Sequence, residues 1–132
     1  MRALLILWLG VGCSSVSGEL RIDGEEASFR RCTTLEVVGF DGVDLHLNDG
    51  RVLRLFREGE RIADVGFFDD PERDIGALLG PCATGTIEDG DSAVQDVRLL
   101  RGDASFSCEA VFEIRGSISF QGCGPGPGYR RQ

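Results

Sequence analysis

Asp-Gly pairs punctuate this chain at Asp23-Gly24, Asp41-Gly42, Asp49-Gly50 and Asp89-Gly90, joined by a reversed Gly102-Asp103, and the segments between them alternate apolar with polar residues. Glycine adopts positive φ without steric cost and an Asp side chain bonds its own backbone, so such pairs suit the tight turns between antiparallel strands. A chain broken this way, with an apolar period of two, reads as all-β.

Leu20 and Ile22 alternate with Arg21 and Asp23, and Ala27 and Phe29 alternate with Ser28 and Arg30 after the turn, which predicts a first hairpin. Val43, Leu45 and Leu47 share one face while Asp44, His46 and Asn48 share the other. After Asp49-Gly50 the chain returns through Leu53 and Leu55, making this the clearest hairpin. Ala63, Val65 and Phe67 keep the period, as do Val97 and Leu99, then Ala104, Phe106 and Cys108, and finally Ile114, Gly116, Ile118 and Phe120. One-sided strands of this kind build an antiparallel sandwich or a partly closed barrel of short hairpins.

Asp69 to Gly80 breaks the pattern. Asp70 suits a cap, Pro71 a first helical position, and Ile75, Leu78 and Leu79 fall on one helical face before Gly80-Pro81 ends it. One short helix or helical turn is therefore expected near 71–79. Residues 124–132 (GPGPGYRRQ) carry no apolar period and are expected to be a disordered tail.

The chain has five cysteines, an odd number for an exported protein. Setting Cys13 aside leaves Cys32, Cys82, Cys108 and Cys123, none within C-x-x-C spacing of another, so redox and zinc motifs are absent. Of three possible pairings, Cys32 with Cys123 and Cys82 with Cys108 is favoured, because the first would fasten the two ends of the fold.

Oxidation of these thiols presupposes export, which the N-terminus suggests. Arg2 supplies a positive charge, Ala3 to Leu9 form an apolar block, and Gly10, Val11 and Gly12 lead into Cys13. That is the layout of a cleaved signal. The block is too short for a spanning helix, which needs ~20 apolar residues. Gly10, Gly12 and Cys13, with Leu9 upstream, resemble the lipobox of bacterial lipoproteins. The resemblance implies cleavage before Cys13 and acylation of its thiol, although the favoured Leu three residues before the cysteine is replaced by Gly10. Ser14 in place of Asp resembles the signal for transfer to the outer membrane of Gram-negative bacteria. An ordinary secretory signal cleaved near Ser15 to Gly18 is the alternative. Arg21 to Gly24 (RIDG) and Cys32 to Thr34 (CTT) resemble the opening of the mycobacterial lipoprotein antigen family, over less than a fifth of the chain. In its four spaced cysteines, Cys32, Cys82, Cys108 and Cys123, the mature domain resembles small uncharacterised cysteine-bridged β lipoproteins of Gram-negative bacteria. The expected organisation is a signal at 1–12, a lipidated tether at 13–18, one β domain at 19–123 and the tail.

Composition narrows the function by exclusion. Fourteen basic residues, all arginine, face 22 acidic ones for a net charge of −8, and loss of Arg2 with a signal adds one more negative charge. Such a balance argues against nucleic acid as a partner and against adsorption to anionic lipid headgroups. The absence of lysine removes Schiff-base and P-loop chemistry. His46, the only histidine, alternates with apolar residues on an expected strand, where a solvated face is its ordinary place. Two acidic clusters, Asp64, Asp69, Asp70, Glu72 and Asp74, and Glu88, Asp89, Asp91 and Asp96, lack EF-hand spacing. The expectation is a lipid-anchored envelope module without catalytic residues, metal or cofactor, held to the membrane by acyl chains on Cys13 and contacting an envelope protein or another ligand. The alternative is a small metal-dependent or carboxylate-based hydrolase using the acidic loops.

Overall fold

The computed structural model describes residues 14–35, 39–73, 75–90 and 99–125. Within them the chain is antiparallel β: β1 (Ser15–Ile22), β2 (Glu25–Glu26), β3 (Phe29–Thr34), β4 (Gly42–Leu47), β5 (Val52–Glu58), β6 (Arg61–Asp70), β7 (Ile75–Gly80), β8 (Ala83–Gly90), β9 (Leu99–Cys108) and β10 (Ile114–Cys123). They form one sheet in the order β2-β1-β10-β9-β8-β6-β5-β4-β3, with β7 paired to β6 outside that path. The sheet curls into a half-barrel, and its concave face holds a single apolar core.

The central hairpin follows the alternation read from the sequence. Val43 pairs with Leu55 and Leu45 with Leu53 across β4 and β5, and all four are fully buried. At Asp23-Gly24 both residues have positive φ, 52° and 85°, as a two-residue type I′ turn requires. The hairpin they begin is shorter than expected: the return strand is only Glu25–Glu26, followed by one more bond from the Ala27 N–H to the Leu20 carbonyl at 2.8 Å. Phe29 to Thr34 cross to β4 instead, where Cys32 pairs with Leu45.

Curling the sheet demands close backbone approach at particular points. At Gly116 (φ 132°) a Cβ would lie 2.2 Å from the Glu19 carbonyl oxygen, and at Gly85 (φ 142°) 2.0 Å from that of Asp103. Mid-strand glycines of this kind let neighbouring strands bend together where a side chain would hold them apart. Gly102-Asp103 is accordingly no turn: both residues lie inside β9, Gly102 opposite Ile87. The phase of β9 also differs from the reading at Leu99. Leu100, Ala104, Phe106 and Cys108 face the core, Leu99 is only half-buried, and Val97 lies outside the described residues.

The helical expectation at 71–79 is met only at Pro71–Arg73, a single 3-10 turn. Ile75–Gly80 is a strand, because β6 offers an open edge whose backbone groups pair with it from Val65 to Asp70. Gly76 is needed there by contact with β6, since a Cβ would lie 2.6 Å from the Phe68 Cα. Ile75 and Leu78, placed on a buried helical face by the sequence reading, are 51% and 63% exposed, and Leu79 alone is buried.

The two margins of the curled sheet meet at a seam. Cys32 on β3 is bonded to Cys123 at the end of β10, and Thr33 bridges Gly124 in parallel, the Thr34 N–H donating to the Gly124 carbonyl at 2.8 Å. Gly124 and Pro125, expected to open the tail, thus belong to the described structure, and residues 126–132 lie outside it. Cys82 is bonded to Cys108, fastening the start of β8 to the end of β9. These are the two pairings the cysteine positions favoured. On the other margin, Ser15 to Gly18, expected as a tether, belong to β1 and pair with Gln121 to Ile118.

Candidate functional site

The residues singled out by sequence fall in separate places. Met1 to Cys13, including the lipidation candidate, lie outside the described residues. The structure begins at Ser14, whose hydroxyl oxygen accepts the Cys32 N–H at 3.1 Å, so the chain is attached to the seam one residue after Cys13.

His46 stands on the convex face of β4 within a half-buried polar strip. Thr33, opposite Asp44 on the neighbouring strand, places its Oγ1 at 2.7 Å from the His46 Nε2. Asp44 is held by both ends of the Arg54 guanidinium, at 2.7 and 3.0 Å, and Arg54 lies 4.6 Å over the Phe68 ring. Burial pushes the imidazole below its ordinary value of 6.5, the Arg31 guanidinium adds to this, and Asp44 opposes it. At neutral pH the ring is therefore uncharged and its Nε2 is engaged with a buried hydroxyl. Asp44 is saturated by arginine and is not the orienting partner that a nucleophile and base would need. The strip is a network of satisfied polar groups, with one exception, the buried Arg31 Nε, which has no hydrogen-bond partner among the described residues.

The acidic clusters disperse along strands and turns. An Asp64 carboxylate oxygen accepts the Val65 N–H at 2.9 Å, and Asp70 meets Arg73 at 3.7 Å across the 3-10 turn. Glu88 lies 3.7 Å from Arg101, and Asp89 3.3 Å from Arg57. Asp74, Asp91 and Asp96 lie outside the described residues. Among the described residues, no three His, Cys, Asp or Glu side chains are grouped to hold a metal ion.

Two features emerge that sequence reasoning missed. β6 pairs with β8 at Arg61 and Thr86, then passes its edge to β7 from Val65 onward, so the sheet splits. The split opens a cleft of about 620 Å³ lined by Glu60 to Ala63 of β6 and its turn, by Pro81, and by Ala83 to Thr86 of β8. Small and apolar groups dominate it, with Glu60 and Arg61 its only ionisable residues, a poor endowment for acid–base chemistry. The Gly80-Pro81 break, read only as a helix stop, was the local signal for it.

The second feature is an apolar patch on the convex face. Phe68, Leu78 and Phe56 close over Gly66, where a Cβ would lie 2.9, 3.4 and 3.6 Å from their respective side chains. Phe56 in turn packs edge-on against Phe40, with ring centroids 5.4 Å apart, and Phe40 is 59% exposed. Phe56 is adjacent to Leu55 and falls on the polar side of the alternation, which was the available clue. Beside the patch, β7 pairs with β6 alone among the described strands. An apolar edge of this kind is suited to strand addition or to a surface contact and has no catalytic group on it.

A scan of family models and comparisons with curated proteins and with solved structures return no match, so no active site is carried over from a relative.

Proposed function

We propose that the chain is a lipid-anchored envelope protein: Cys13 carries the acyl chains, and the curled β domain is a binding or structural module without catalytic residues. The observation that carries this reading is the place of Gly12-Cys13 directly after the apolar block, and the cysteine pairing is compatible with it. Cys32–Cys123 and Cys82–Cys108 consume four of the five thiols, and the one left over directly follows the apolar block of a signal. Two disulfides also fit an oxidising compartment outside the cytoplasm. Each buried CH₂ of an acyl chain contributes ~0.8 kcal/mol, and two or more chains give stable attachment. Ser14 directs the protein to the outer membrane of a Gram-negative bacterium.

The module reading is supported by how the ionisable groups are used. Asp44 faces Arg54, Asp41 and Asp89 share Arg57, and Glu88 faces Arg101, and none of these four carboxylates lines the cleft. No observation favours the hydrolase reading over this one.

The test is membrane fractionation and intact mass of the native protein beside Cys13→Ala. The native chain is expected in the detergent-soluble membrane fraction with acyl mass on a polypeptide that starts at Cys13, and the variant in the soluble fraction. Equal solubility of the two, with no acyl mass on either, would refute the proposal.

A further inference from the structure

Apart from the short β2 and β7, the strands run between two ends of the half-barrel, and the described chain begins, at Ser14, at one of them. Ser15 pairs with Gln121, Cys123 with Leu100, and Gly90 with Leu99, which brings the start of β1, the end of β10, the start of β9 and the end of β8 together. The backbone carbonyl of Glu60, just before β6, accepts the Ile87 N–H at 2.9 Å, and the end of β3 meets Gly124, so the start of β6 and the end of β3 lie at the same end. Arg57, almost wholly buried, ties it together by bonding the Ile87 carbonyl, Asp41 and Asp89. The Leu35 N–H donates to the Gly42 carbonyl here at 3.0 Å, and Phe40, two residues before Gly42, lies at this rim, 59% exposed and packed edge-on against Phe56. The opposite end holds the Asp23-Gly24 turn, Asp49-Gly50 and the segment around Val111.

From this we propose that the end carrying Ser14 and the Phe40–Phe56 pair seats against the lipid bilayer, with the Phe40 ring in the interfacial layer. The inference rests on acylation of Cys13 and adds the orientation of the domain. Its physical basis is the missing tether. Had Ser14 to Gly18 been free they would have reached up to ~18 Å, and the domain could have tumbled above the membrane. Because Ser15 is already in the sheet and Ser14 is bonded to Cys32, only about one residue of chain, ~3.5 Å, separates the body from the acylated residue. The rim is thereby held at headgroup depth. There it presents an exposed phenyl ring, the type of group that partitions into the interface. Among the described residues of this rim, Asp41, Asp89, Glu58 and Glu60 outnumber Arg57 and Arg61, so a zwitterionic surface suits it better than an anionic one. The opposite end then projects away from the membrane.

Removal of the signal takes away Trp8, the only tryptophan, so Phe40→Trp and Val111→Trp each create a single reporter in the processed chain. Acylated protein carrying either substitution would be reconstituted in phosphatidylcholine vesicles, with intact mass measured on the same preparation. Emission from position 40 is expected to shift to the blue and be quenched by brominated acyl chains, while emission from position 111, at the far end, is quenched by aqueous iodide. Acyl mass together with iodide quenching at position 40 as strong as at 111 would overturn the orientation and leave the anchor standing. Absence of acyl mass would overturn both. Should Phe40→Trp fail to fold, hydrogen exchange on the unsubstituted acylated protein serves instead. Vesicles should then slow exchange around Gly39 to Asp41 and leave residues 109–113 unchanged, and the reverse pattern would overturn the proposal.

Discussion

Replacing both Cys32 and Cys123 by alanine should open the seam of the half-barrel, at a cost set chiefly by the length of chain that the bond closes. The two residues are 91 apart in sequence, against 26 for Cys82 and Cys108. On the chain-entropy model the longer loop contributes about 4.6 kcal/mol at 25 °C and the shorter about 3.5, so the seam bond is worth ~1 kcal/mol more. Both sulfur atoms at the seam are fully buried, and truncating them adds roughly 1 kcal/mol of lost packing. A small domain has about 5 to 15 kcal/mol of total stability, so the seam variant loses a large share of it. Urea unfolding of the two double-alanine variants gives the midpoints. Hydrogen exchange adds a local test, because the Thr34 amide, bonded to Gly124, should lose protection in the seam variant and keep it in the other. If the Cys82/Cys108 variant proved the less stable, or if Thr34 stayed protected without the seam bond, closure by this disulfide would be refuted.

Three further outcomes follow from the packing. Asp44→Ala should cost about 3 kcal/mol in chemical denaturation, because it leaves Arg54 half enclosed and without its carboxylate. Replacing both partners, Asp44→Leu with Arg54→Met, should recover most of that loss, and failure to recover it would show that the pair is not the cause. Stability should fall as pH drops from 6.5 through the depressed titration of His46, since the unfolded imidazole binds a proton there before the folded one does. His46→Gln should remove that part of the slope when unfolding midpoints are compared across the window. Gly85→Ala and Gly116→Ala should each cost at least ~2 kcal/mol, whereas Gly59→Ala, at a turn with open space around it, should cost about 1 kcal/mol for its positive φ alone. Equal losses at the three positions in thermal or urea unfolding would contradict the close-approach argument.

The convex polar strip has a consequence for how the domain is built. Thr33, Asp44, His46 and Arg54 occupy positions that alternate with core residues, and on a simple half-buried sheet they would be bathed in water. Here Asp44 and Thr33 are buried, because the side chains of adjacent strands pack over one another on the convex side. The hydrogen bonds and the cation–π contact with Phe68 satisfy the strip. It is a specifier of strand register, since shifting β4 by one residue would turn Asp44 and His46 into the apolar core.

The sequence by itself determined the fold class and the central hairpin, whereas it favoured the cysteine pairing without deciding it. The inward face of β4, β5 and β10 follows directly from an apolar period of two, and the turns at Asp23-Gly24 and Asp49-Gly50 from residue types that accept positive φ. These are local properties, written within a few residues of where they act. Tertiary structure decided where Phe29 to Thr34 pair, why Ile75 to Gly80 extend where a helix was expected, and why Gly102 lies mid-strand. It also decided where β6 and β8 part to form the cleft. In each case the outcome depends on which distant backbone groups remain unpaired, or on how closely two strands approach when the sheet curls. Ser15 to Gly18 show the same contrast: polar enough to read as a tether, they become a strand because β10 has a free edge to receive them.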